Sequence, residues 1–249
     1  MSDLDIKPIE KEDAAKLKGF DISLKIDGTL VFFRNGRLHS PRCDRTERYK
    51  HIHTLLVANN FPDCVGEMFI DKPGACVFDI SRKENWSKAK FMIFDICIDK
   101  PYMERKDILD KMVERLQNKF IVRMKRFKTF AEGSEYVEVM NAEGLVLRSN
   151  YGWFKWKRLQ EAKVEIVKWE AMTDKGAFIL ANGGRVSGTS IGFVQQFREL
   201  ASKGKVFAEI EFPLVTNDGN FFQPRLRRII DEEEALRSST KPIYAGGLK

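Results

Sequence analysis

The stretch from Ser23 to Phe33, SLKIDGTLVFF, has the alternation of a strand, a break at Gly28 and a second strand, yet Lys25 sits between Leu24 and Ile26. In extended backbone Lys25 and Asp27 point to one face and Ile26 to the other. Gly28 permits a close backbone approach or an unusual φ. Such a lysine either faces water beside its aspartate or is held for a purpose, and the surrounding sequence has to decide which.

Immediately downstream, LVFF (30–33) and RLHS (37–40) flank Arg34-Asn35-Gly36, a strong hairpin signal because Asn-Gly tolerates positive φ at both turn positions. RTERYKHIHTLLVANN follows with helical spacing, with Tyr49, Ile52, Leu55 and Leu56 on one face. CVGEMFI (64–70) and FMIFDICI (91–98) read as strands, the second buried on both sides. The pattern from Tyr102 to Asn118 is an amphipathic helix. Phe120 to Phe127 and Gly144 to Arg148 read as strands, and SEYVEVMN between them as a short helix that Ser134 could cap. Near Ala162 the pattern changes to short strands with one helix, separated by Asn182-Gly183-Gly184 and Asn217-Asp218-Gly219. This predicts two domains, 1–162 and 163–249, joined by a short hinge at Gln160–Lys163, the second a small β-barrel.

Composition limits the function. Hydrophobic residues make up 43% of the 249, enough for a core, and no run approaches the ~20 apolar residues a membrane span needs. The start, MSDLDIKPIEKEDAAK, lacks the apolar centre of a signal peptide. A soluble intracellular protein, cytoplasmic and monomeric, is expected. Cys43, Cys64, Cys76 and Cys97 form no CxxC pair, which argues against zinc, and Cys97 reads as core. The net charge is +7; from Val164 onward there are 12 Lys+Arg against 11 Asp+Glu, so the first 163 residues hold +6 of it. Basic clusters at 42–50, 123–128 and 154–158 are interleaved with aromatics, which suits a polyanion.

Three further segments bear on Lys25. Glu67 is an acid inside the apolar VGEMF, Phe94-Asp95 lie in FMIFDI, and Glu143 opens EGLVLR. Lys155 and Lys157 share a strand face in FKWKR. Acids for Mg²⁺ and lysines for phosphate fit a nucleotide pocket.

In this order the segments resemble the covalent nucleotidyltransferases, ATP-dependent DNA ligases most closely. KIDG (25–28) resembles motif I, GEMF the acidic strand, FMIFDI motif III, EGLVLR motif IV and FKWKR motif V. HSPRCDRTERY resembles the arginine-bearing motif between I and III. The resemblance implies an α+β fold. An ATP-grasp-like adenylation domain of antiparallel sheets and helices would precede an OB-fold barrel. It implies Lys25 as the nucleophile that takes AMP from ATP. Asp27 and Gly28 would shape the pocket, Glu67 would contact ribose or metal, and Phe94 would stack on adenine. Glu143 would support Mg²⁺ (or Mn²⁺), with Lys155 and Lys157 on the α-phosphate. Arg42, with Arg45 as its rival, would position phosphate or the nicked end. A free lysine is protonated near neutral pH and cannot attack, and nearby cations favour the neutral amine. The implied partner is nicked duplex DNA.

The match departs from DNA ligases in three places. Leu30 stands where they commonly carry arginine, a Gly-Thr-Leu continuation similar to that of some RNA ligases. The gap from EGLVLR to FKWKR is short. PRLRRIIDEE offers Arg225, Arg227 and Arg228 as the basic motif VI that orients pyrophosphate, Arg228 being the assignment taken, but Ile230 and Glu232 replace expected basic residues. RNA ligases, capping guanylyltransferases and a non-catalytic nucleic-acid-binding protein are the rival readings.

Overall fold

The computed structural model describes residues 6–72, 77–171, 176–187, 190–213, 215, 219–237 and 242–244. It is a mixed α/β structure with two compact units, Met1–Arg158 and Leu159–Lys249. Cys76 and the Asn217-Asp218 turn lie outside the described residues.

The first unit holds two five-stranded sheets. Its strands are β1 (Ile6–Pro8), β2 (Asp21–Lys25), β3 (Thr29–Arg34), β4 (Arg37–His39), β5 (Cys64–Phe69), β6 (Lys90–Ile96), β7 (Ile121–Val122), β8 (Arg126–Phe127), β9 (Gly144–Arg148) and β10 (Trp153–Lys157). One sheet runs β1-β10-β9-β2-β8, the other β4-β3-β5-β6-β7. Its helices are α1 (Lys11–Ala14), α2 (Lys50–Ala58), α3 (Val77–Ser81), α4 (Tyr102–Leu116) and α5 (Phe130–Val139).

Each sheet buries its outer face under helices. Ile22, Leu145, Leu147 and Trp156 of the first sheet pack against Phe130 and Val137 of α5. Val31, Phe33, Met68, Phe91 and Ile93 of the second pack against Ile52 and Leu56 of α2 and Leu109 and Val113 of α4. Fully burying one such side chain stabilises by roughly 1.5–3 kcal/mol. A third cluster joins the inner faces, with Val65, Met92 and Phe94 on one side and Trp153 on the other. Strand alternation therefore leaves Asp21, Ser23, Lys25, Arg148, Lys155 and Lys157 on the inner face of the first sheet.

The Asn-Gly hairpin forms as expected. Arg34 pairs with Arg37, and Asn35 and Gly36 both take positive φ, 48° and 70°. Two expectations fail locally. Phe120 to Phe127 is not one strand: β7 pairs with β6 and β8 with β2, so the segment crosses between sheets. Ser134 does not cap its helix, which starts earlier. Thr129 accepts from the Glu132 N–H, and the Glu132 carboxylate accepts from the Lys128 N–H at 2.8 Å, while Ser134 Oγ donates to the Ala131 carbonyl within the helix. Cys97 is half-buried rather than core.

The second unit is one sheet, β13-β12-β11-β14-β15, with β16 beside β11. The strands are β11 (Gln160–Ala171), β12 (Gly176–Leu180), β13 (Arg185–Ser187), β14 (Val206–Phe212), β15 (Arg225–Asp231) and β16 (Ile243–Tyr244). α6 (Ile191–Ala201) and α7 (Glu232–Arg237) complete it. Gln160–Lys163, expected as a hinge, opens β11. That strand serves β14 with its first half and β12 with its second, across a register shift between Ile166 and Lys168. Such irregularities let one strand bend between two directions of pairing. Among the described residues no ladder joins β13 to β15, so the expected barrel is not closed. Lys163 is fully buried, and its Nζ donates to the Ala235 carbonyl at 2.8 Å.

Gly144 sits between β2 and β10, and a Cβ there would overlap the Trp156 carbonyl oxygen and come within 2.9 Å of Lys157 Cα. Backbone cannot yield as a side chain can, so Gly144→Ala is expected to destabilise by about 2–4 kcal/mol. Urea unfolding measures this; an unchanged midpoint would refute the close-approach account.

Candidate functional site

The site is built on three neighbouring strands. β9 is central, with β2 and β10 on either side. Lys25 and Lys157 are both in register with Gly144, so they flank the entry to β9 on the same face. Glu143, the residue before β9, lies between them. Its Oε2 accepts from Lys25 Nζ at 2.6 Å and its Oε1 from Lys157 Nζ at 2.9 Å. The Glu143 side chain is 12% exposed and that of Lys25 23%. Partial burial makes this pairing stronger than a surface ion pair.

The second sheet supplies more acid. A Cβ on Gly28 would overlap the Met68 carbonyl oxygen and sit 2.9 Å from Glu67 Cγ, which is the close approach that the glycine permits. The Gly28 N–H donates to the Glu67 carboxylate. Burial pushes the Glu67 carboxyl up to about 8, Glu143 and Asp27 reinforce the shift, and Lys25 opposes it. Asp27 is also raised, first by burial and then by Glu143, against the Val77 N–H, Lys25 and Lys157. Lys25, Asp27, Gly28, Glu67, Glu143 and Lys157 thus form one cluster of mutually interacting groups. It is a site where acids are crowded beyond what its two lysines neutralise.

Phe94 owes its position to a bulge. Val65 pairs with Asp95 and Gly66 with Ile93, so Phe94 is the extra residue; bulges re-aim side chains in this way. Asp95, 1% exposed, pins the strand to α4 by a two-pronged pair with Arg105, both contacts at 2.8 Å. Phe94 points into the inter-sheet cluster and is 5% exposed. Arg148 lies over its ring at 4.9 Å and over that of Trp153 at 5.0 Å.

Arg148 had no assigned role, although a cation ending the apolar GLVL was its visible signal. It is 2% exposed, its Nη1 donates to Ser23 Oγ at 2.5 Å, and its Nε has no hydrogen-bond partner among the described residues. Burial lowers its pKa, with Tyr102 and Asp21 opposing. Behind it Tyr102 donates to Asp21 at 2.7 Å, and Arg126 pairs with Asp21 at 2.9 Å. These partners are far apart in sequence and carry no motif.

Other expected residues are not joined to the cluster. Lys155 is half-buried on the same face as Lys157, without a carboxylate partner among the described residues. Arg42 is exposed in the loop after β4. Its rival Arg45 is tied into that loop, donating through Nε to Ser40 Oγ at 3.3 Å. Arg228 belongs to the second unit, where Glu209 takes two of its nitrogens at 2.7 and 3.2 Å and Glu234 a third at 2.6 Å. Arg227 pairs with Glu211 at 2.5 Å. Among the described residues no three His, Cys, Asp or Glu side chains converge on a metal-sized site. Among the described residues no helix is long and apolar enough to cross a membrane.

Solved structures share this fold. A structure from a study of DNA binding by Lig E DNA ligases superposes with a TM-score of 0.67 at 16% identity, covering 92% of this chain and all of that one. The ligase domain of M. tuberculosis LigD gives 0.51 at 18% identity, with coverages of 87% and 92%. A mycobacterial DNA ligase D complexed with ATP and MES gives 0.50 at 18%, with 88% and 92%. No family model and no curated protein sequence matches. The chain therefore has the fold of ATP-dependent DNA ligases.

The raised Glu67 has a thermodynamic consequence. An acid whose folded pKa exceeds its unfolded value of 4.5 contributes stability below 4.5 that is lost as pH rises through about 8. Relative to Glu67→Gln, the nucleotide-free wild type is expected to lose on the order of 2 kcal/mol or more between pH 5 and 8, since one pKa unit is about 1.4 kcal/mol. Parallel pH profiles of the two would refute the burial of Glu67.

Proposed function

We propose that the chain is an ATP-dependent polynucleotide ligase that seals 5′-phosphate/3′-hydroxyl nicks in duplex DNA, passing AMP through Lys25. The observation that carries this reading is Glu143 held between Lys25 and Lys157 at the ends of adjacent strands, in a fold shared with DNA ligases. On this reading 1–162 is the ATP-grasp-like adenylation domain and 163–249 the OB-fold domain.

In the first step Lys25 Nζ attacks the α-phosphorus of ATP. The N–P bond forms, the bond to the β-phosphate oxygen breaks, and pyrophosphate leaves. Nζ must first give up a proton, and Glu143 Oε2 is within hydrogen-bond reach at 2.6 Å. In-line phosphoryl transfer needs positioning and charge neutralisation above all. Lys157 and Lys155 carry charge to the non-bridging oxygens, Phe94 offers its ring to adenine, and Asp27 and Glu67 face ribose. Arg42, exposed in the loop after β4, would take a substrate phosphate, and Arg228 would serve pyrophosphate once released by its acids. In the second step a 5′-phosphate oxygen displaces Lys25 from the AMP phosphorus. In the third the 3′-hydroxyl attacks the activated 5′-phosphorus and AMP leaves.

The chemistry of the acids fits Mg²⁺. Glu143, Glu67 and Asp27 crowd negative charge that two lysines only partly offset, and Mg²⁺ is usually held by one or two carboxylates together with substrate phosphates. The ion would supply neutralisation of phosphate charge there. A second reading, an RNA ligase of the same superfamily, is favoured by Leu30, which packs with the Val65–Phe94 cluster where an arginine would face substrate.

After incubation with Mg²⁺ and ATP and no nucleic acid, intact mass is expected to show one added AMP on the wild type and none on Lys25→Ala. No adduct, with pre-bound AMP removed, refutes the reading. Phe94→Leu keeps an apolar side chain in the cluster, and is expected to weaken ATP binding by about 1–2 kcal/mol if the ring stacks. Unchanged affinity returns Phe94 to the core. Nicks with RNA strands, set against all-DNA nicks, separate the two readings.

A further inference from the structure

A second concavity lies on the other side of the β3–β5–β6 sheet from Glu67 and Phe94. It has a volume of about 740 Å³ and is walled by the first turn of α2, the Lys83–Lys88 turn and the residues before β7. Its apolar floor is Trp86, Leu55 and Phe120, with His51 edge-on to Phe120 at 4.7 Å. Its rim carries Arg48, Lys50 and Lys83 against one carboxylate, Glu47. Arg48 lies over the Trp86 ring at 4.2 Å. Lys50 and Lys83 are exposed and have no carboxylate partner among the described residues. The first turn of α2 contains no acid, and its N-cap, Tyr49, makes no side-chain cap.

We propose that this groove binds a single-stranded nucleic-acid segment, outside the catalytic pocket. Cations around a partly aromatic floor are the combination single strands require, with phosphates on Lys50 and Lys83 and a base face against the Arg48 guanidinium that lies on Trp86. Paired duplex offers its phosphates to such a rim but keeps its base faces stacked, and so leaves the apolar floor unused. The volume suits one nucleotide. The first turn of α2, which has no side-chain cap, adds a positive dipole end on the same wall. The site does not rest on the nick-sealing reading, because it shares no residue with the Lys25 cluster.

The test is fluorescence anisotropy of a labelled oligothymidylate with the full chain, across salt concentrations. The variant is Lys50→Glu/Lys83→Glu, both exposed positions, with thermal melting as the check of folding. Arg48 is spared because it packs on Trp86. The expected result is a loss of affinity of about tenfold or more, with the salt slope reduced by about 1.4 for two lost phosphate contacts. AMP transfer to Lys25, read by mass, should be unchanged, and excess ATP should not displace the oligonucleotide. An unaltered affinity and slope in a folded variant overturns the proposal, as does a wild type that does not bind the strand. Equal losses for blunt duplex and single strand would make the rim a general backbone contact and overturn the single-strand assignment. Failure of AMP transfer in the wild type with intact strand binding would sink the ligase reading alone.

Discussion

The structure around the site depends on one carboxylate. Glu143 holds Lys25 with one oxygen and Lys157 with the other, and it can do so only because β9 is central to its sheet. A residue entering a central strand has a neighbour on each side, and antiparallel register brings the ends of β2 and β10 to the same level. Gly144 makes this possible by leaving room for the Trp156–Lys157 backbone. Residues 25, 143 and 157 are thus joined by the geometry of three hydrogen-bonded strands rather than by closeness in the chain.

The same cluster is electrostatically strained. Three acids share two lysines, and two of those acids, Glu67 and Asp27, are pushed toward the neutral form by burial and by the nearby Glu143. The hydrophobic clusters on the outer faces of both sheets hold the strands in place despite this repulsion. A polyphosphate with its cation would meet a lysine pair already ordered, so little ordering entropy remains to be lost on binding. On the proposed reading, stability given up in the free protein would become preorganisation in the complex.

Much of this was legible in the sequence, for physical reasons. Asn35-Gly36 determines a two-residue hairpin because few other pairs take positive φ twice. Lys25, Glu67, Glu143 and Lys157 stood out as charges at the ends or centres of apolar strands. What was not legible depends on pairing at long range. The Phe94 bulge needs the register of β5 against β6, which local alternation does not contain. The split of Phe120–Phe127 between two sheets is invisible to a periodicity test, because both short strands are extended. Ser134 was a plausible cap, but Thr129 with Glu132 satisfies the donors one turn earlier.

The arginines show where a motif stops being informative. Arg148 and Arg228 are both strand arginines beside apolar residues, but their surroundings differ. Arg228 is exposed and bound by Glu209 and Glu234, so its charge is spent locally and using it elsewhere means breaking those pairs. Arg148 is buried without a carboxylate partner among the described residues, its guanidinium over the rings of Phe94 and Trp153. A buried cation is expensive unless compensated; here two aromatic faces, the Ser23 hydroxyl and the nearby Asp21 offset that cost. In return it holds the Phe94 ring against the first sheet, which couples the two inner faces.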